Sequence, residues 1–93
     1  MAVVVTMEVP GGSHEMQRGL MQEMGIPAAE PSGLRFRTQG PIPGGWRVVT
    51  GWDSPEDFQR FRAEKLQPAF AKQGIQPSRI ELWPTVSIDV MSR

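Results

Sequence analysis

His14 is the only histidine of the chain, and it follows Gly11-Gly12-Ser13 at the head of an apolar-periodic segment. A histidine placed there could serve as general acid or base at the mouth of a pocket. The plainer alternative is an exposed residue of a first helical turn. Two hydroxyls, Thr38 and Thr50, fall in otherwise apolar strand patterns and could supply polar contacts to a bound molecule. A buried hydroxyl without a partner costs about 1–3 kcal/mol, so a ligand or an ordered water would account for them. His14, Thr38 and Thr50 are the candidates for catalysis, and no pattern among them fixes a catalytic residue. Resident metal is not expected, because one histidine, no cysteine and no tightly spaced carboxylate pair offer too few ligands. The glycines from Gly40 to Gly45 alternate with two prolines and precede a strand, so they do not form a phosphate loop. No nucleophile-elbow signature accompanies the serines.

The large apolar side chains suggest where a ligand would sit. Phe36, Trp46 and Trp52 share one face of the alternating strand patterns, which could make an aromatic wall for a flat molecule or could simply be core. Met7, Met16, Met21 and Met24 point to the same region, and methionine adapts to irregular shapes. The expected ligand-binding set is Phe36, Trp46, Trp52, Met16, Leu20, Phe58 and Phe61, between the sheet and the helices. Arg35, Arg37, Arg47 and Arg79 fall on the opposite strand face with Glu8 and Glu81, where cross-strand ion pairs are expected ahead of an anion site.

The elements that position these residues follow from local signals. Residues 2–9 are short and rich in β-branched side chains, which marks a strand ended by Pro10-Gly11-Gly12. Ser13 can cap a helix over 14–24, whose apolar residues Met16, Leu20 and Met24 recur every fourth position and are joined by Met21. Gly25 and Pro27 stop it. After a loop over 26–33, residues 34–38 alternate as a second strand, and the Gly40–Gly45 turn leads into a third over 46–52. Ser54, Pro55, Glu56 and Asp57 cap and charge the start of a second helix over 55–73. Pro68 lies inside that helix, removes one backbone bond and should bend it. Residues 79–83 form a fourth strand interrupted by Pro84, and 86–90 extend it or run along an edge.

The order β-α-β-β-α-β with right-handed crossovers is that of an α+β, ferredoxin-like domain, a four-stranded antiparallel sheet with two helices on one face. The other face mixes charged and aliphatic residues and suits a second copy of the chain. A homodimer is therefore expected. Residues 1–93 read as one domain, without internal repeats. Ten Lys and Arg balance ten Asp and Glu, which argues against nucleic acid as a partner. The N-terminal residues lack a basic leader and a long apolar core, and no apolar run approaches a membrane span. With no cysteine present, the expected location is the cytoplasm.

Three segments carry a resemblance to a known family. Gly44-Gly45-Trp46-Arg47-Val48-Val49, the turn Trp52-Asp53-Ser54-Pro55-Glu56-Asp57-Phe58, and Leu66-Gln67-Pro68-Ala69-Phe70 followed by Gly74 resemble uncharacterised dimeric α+β barrel proteins related to the antibiotic biosynthesis monooxygenase group. The likeness runs over residues 2–86. It implies a homodimer whose sheets face each other as a barrel, with a pocket in each subunit. It also implies an activity of the kind found in cofactor-free monooxygenases, polyketide cyclases or haem-degrading enzymes. The chain departs from the cyclase and haem-degrading patterns, because it has no histidine on a strand or on the second helix, so no catalytic histidine carries over. The expected function is thus a small cofactor-independent enzyme of secondary metabolism, a monooxygenase, cyclase or isomerase. Its substrate would be apolar, aromatic or polyketide-like, and orientation and exclusion of water would provide the rate. The alternative is a non-catalytic binding protein or a structural dimer.

Overall fold

A run of β-branched residues that alternate inward and outward starts the chain, and the computed structural model makes it a central strand, β1 (Ala2–Pro10). The structure describes residues 1–26, 30–77 and 79–89. The other elements are α1 (His14–Met24), β2 (Leu34–Ile42), β3 (Gly45–Trp52), α2 (Pro55–Phe61), a π-helical turn (Arg62–Leu66), α3 (Gln67–Gln73) and β4 (Arg79–Thr85). The strands form one antiparallel sheet in the order β2-β3-β1-β4. This is the ferredoxin-like α+β arrangement, with the helical segments packed on one face.

The caps form as the local sequence dictates. Ser13 Oγ accepts the Met16 N–H at 3.1 Å, and Ser54 Oγ accepts the Asp57 N–H at 3.2 Å. Gly25 and Gly74 close their helices at φ 74° and 68°, left-handed values that glycine adopts without strain. Pro27, expected as a helix stop, lies outside the described residues. Pro43-Gly44 makes the β2–β3 turn, with φ 76° at Gly44.

The second helix is not continuous. The Gln67 N–H donates to Arg62 O, five residues back, so one extra residue is absorbed just ahead of Pro68. The expected disturbance at Pro68 therefore takes the form of a π turn. Pro84 does not interrupt its strand: β4 continues to Thr85, with Pro84 opposite Val3. This is possible because β4 is an edge strand, where one missing donor goes unnoticed. The strand ends at Thr85, residues 86–89 add nothing to it, and Val90 lies outside the described residues.

The main departure lies in β2. Its register against β3 shifts between Leu34 and Phe36, leaving Arg35 as an extra residue. Leu34 is opposite Trp52, whereas Phe36 is opposite Gly51 and Arg37 is opposite Thr50. Strand side chains alternate with period two, so one extra residue exchanges the faces of all that follows. Phe36 and Thr38, expected on the helix-covered face, stand on the open one. Arg37 and Gln39, expected on the open face, turn toward the helices.

Two cross-strand sets result. Under the helices lie the rows Leu34-Trp52-Val3-Pro84, Arg37-Thr50-Val5-Leu82 and Gln39-Val48-Met7-Ile80. On the open face lie Phe36-Gly51-Val4-Trp83, then Thr38-Val49-Thr6-Glu81, then Gly40-Arg47-Glu8-Arg79. The core collects on the covered face, where Val3, Leu20 and Trp52 are the largest fully enclosed side chains.

Candidate functional site

A cleft opens between the covered sheet face and the helices, on the β2 side of the sheet. Val5, Thr50 and Arg37 from one cross-strand row and Met7 and Val48 from the next form its floor. Gln17, Met21 and Met24 of α1 form one wall, and Phe58, Phe61 and Leu66 form the other. It encloses about 40 Å³ of free space. At roughly 10–15 Å³ per water-sized probe this is room for about three or four waters. A larger guest requires the three methionines to move, which their unbranched side chains permit.

Trp52 anchors the cleft. It is 1% exposed, and its ring meets Phe58 edge-on at 5.7 Å and Phe61 at 5.1 Å between centroids. Its indole Nε1–H donates to Thr50 Oγ1 at 2.8 Å. The hydroxyl proton of Thr50 is left to donate elsewhere. Arg37, brought to this face by the bulge at Arg35, sits directly across from Thr50. Gln17 is 4% exposed, and its Oε1 is buried without a hydrogen-bond partner. Three polar groups of different kinds thus enter an otherwise apolar space.

Of the side chains expected to bind ligand, Trp52, Phe58 and Phe61 line the cleft. The other four do not. Phe36 is on the open face, where its ring fills the space that a side chain at position 51 would need. Trp46 is buried near the other end of β3, against Gly12 and under His14, with rings stacked at 5.8 Å and 11°. Leu20 is core, and Met16 packs against the core close to Gly12. Among the candidates for chemistry, Thr50 lines the cleft, Thr38 faces away from the helices, and His14 is exposed outside it.

Arg37 and Gln17 were missed for different reasons. No residue pattern around Arg35 announces the bulge, so Arg37 looked outward. Gln17 did carry a signal: with Met21 and Met24 it stands at i, i+4 and i+7, a polar side chain on the apolar stripe of α1. The expected arginine cluster divides in the same way. Arg47 holds Glu8 at 2.6 Å and Arg79 holds Glu81 at 2.7 Å on the open face, while Arg35 pairs with Asp53 at 3.0 Å. Among the described residues no three His, Cys, Asp or Glu side chains gather to hold a metal ion.

No protein-family profile matches the sequence, and no curated protein matches it. Solved structures do match its shape. An antibiotic biosynthesis monooxygenase-type protein from Chloroflexus aurantiacus superposes with a TM-score of 0.67 at 14% identity, over 99% of this chain and 100% of that one. SnoaB, a cofactor-independent oxygenase from Streptomyces nogalater, gives 0.63 at 14% identity over 94% of both chains. MhuD, crystallised with two manganese protoporphyrin IX molecules per active site, gives 0.60 at 19% identity over 99% of this chain and 100% of that one. At these identities the likeness establishes the fold.

Proposed function

We propose that the protein is a cofactor-independent enzyme that binds a small apolar molecule bearing oxygen groups in the cleft between sheet and helices, and that it belongs with the oxygenases of this fold. The observation that carries the reading is the entry of Gln17, Thr50 and Arg37 into a cleft otherwise walled by methionine and aromatic side chains. Apolar walls with a few convergent polar groups are the usual make-up of a small-molecule site. The match in fold to SnoaB over nearly the whole chain supports the oxygenase branch.

In this reading the apolar walls hold the substrate and keep bulk water from it. The Arg37 guanidinium stabilises an enolate or phenolate oxygen of the substrate. Thr50, with its oxygen engaged by Trp52, donates to a neighbouring carbonyl. An electron-rich substrate supplies the electrons itself: a CH2 group and O2 become a C=O group and water. A haem iron would find no histidine in the cleft, because His14, the only histidine, is stacked on Trp46 outside it.

Oxygen consumption tests the reading. Purified protein in air with a panel of hydroxylated naphthalenes and anthrones should take up O2, and with labelled O2 the product should gain one labelled oxygen atom. Binding without uptake would leave the second reading, a non-catalytic binding protein. The small free volume, about 40 Å³, favours neither of these and fits a third reading, a structural dimer with a filled core, which absence of any binding would leave.

We further propose that the open sheet face pairs with a second copy of the chain. The row Phe36-Gly51-Val4-Trp83 is apolar, Trp83 is 68% exposed, and the charges of the Arg47-Glu8-Arg79 row sit to one side of it. An exposed apolar patch rimmed by ion pairs has the character of an interface.

A further inference from the structure

Among the described residues Gln17 is the one buried polar side chain, and its amide oxygen is buried without a hydrogen-bond partner. Folding discourages such a group, since burying an amide forfeits its bonds to water. A leucine or methionine at position 17 would continue the stripe of Met21 and Met24 without that penalty. The groups around it define what it waits for. Thr50 already accepts from the Trp52 indole and keeps one lone pair and a proton to offer, and Arg37 is purely a donor. Gln17 Oε1 is therefore the wholly unengaged acceptor among the cleft's described polar side chains, and a ligand donor set against it would satisfy it.

We infer that Gln17 is a specificity-determining residue: its amide oxygen selects ligands that carry an O–H or N–H donor on an apolar frame and discriminates against the same frame without it. The inference rests on the cleft being the ligand site. Sites built around a buried polar group reject the analogue that leaves the group unpaired, while apolar walls alone discriminate weakly.

The test uses 1-naphthol and naphthalene as a matched pair, with calorimetric or NMR titration of the full chain and of Gln17→Met, a substitution of similar length. Wild-type protein should prefer 1-naphthol by about tenfold, the value of one hydrogen bond. Gln17→Met should bring the two affinities to within about twofold, leave that for naphthalene unchanged, and melt no lower than wild type. Loss of affinity for both compounds together would mark a merely structural role and overturn the inference. Should Gln17→Met fold poorly, Gln17→Leu and the side-chain amide resonances of wild-type Gln17 take its place, and those resonances should move with 1-naphthol and stay with naphthalene. A preference that survives in the variant overturns the role of Gln17 and leaves the cleft reading intact. Failure of wild type to bind either compound, with no shift in cleft resonances, removes both.

Discussion

Replacing Thr50 by valine keeps the shape of the side chain and deletes the acceptor of the Trp52 indole N–H. A buried donor left unpaired costs about 1–3 kcal/mol, so Thr50→Val should lower the unfolding free energy by that amount in denaturant titrations while Thr50→Ser holds near wild type. A loss below about 0.5 kcal/mol would show that the bond adds nothing to stability. Trp52→Ala should cost about 3–5 kcal/mol, because the ring is fully enclosed and its removal leaves Phe58 and Phe61 facing a void. Both residues could be picked out in the sequence, Thr50 as a hydroxyl in an apolar layer and Trp52 as an inward-facing aromatic. What the sequence did not reveal was that each satisfies the other, a pairing that depends on indole geometry rather than on spacing.

Among the elements, the π turn at Arg62–Leu66 bears on the phase of the second helix. At 100° per residue, an uninterrupted α-helix would spread Phe58, Phe61, Leu66, Ala69 and Phe70 over about 180° of arc. One extra residue absorbed before Leu66 gathers them into about 100° and turns Lys65 to solvent, as observed. The turn thus serves the core as much as it accommodates Pro68. Pro68→Ala should then change stability by less than about 1 kcal/mol, whereas relief of an ordinary mid-helix proline would return about 3 kcal/mol. Equilibrium melts of the two proteins decide between these. The caps, the element order and most boundaries were legible because Ser, Pro and Gly act on their own few neighbours. The bulge in β2 and the passage of β4 through Pro84 were not, because both depend on which strand lies alongside.

In the proposed reading the sheet serves two tasks, guest space under the helices and a partly apolar outer face for a second copy. The outer face should make the protein a dimer at tens of micromolar in sedimentation, the range in which an interface of standard size is occupied. Trp83→Glu should yield a monomer with an unchanged far-ultraviolet spectrum, because Trp83 stands on an edge strand and is already two-thirds exposed. A wild-type monomer at that concentration would refute the pairing. The extra residue at Arg35 decides which side chains of β2 lie on which face of the sheet. Pairing the same residues without the bulge would send Arg37 and Gln39 outward and bring Phe36 and Thr38 inward, whereas deleting Arg35 would straighten the ladder and leave every later β2 side chain on its present face. Position-by-position comparison of β2 with a relative that lacks the bulge would therefore equate inner residues with outer ones, unless a gap is placed beside Arg35.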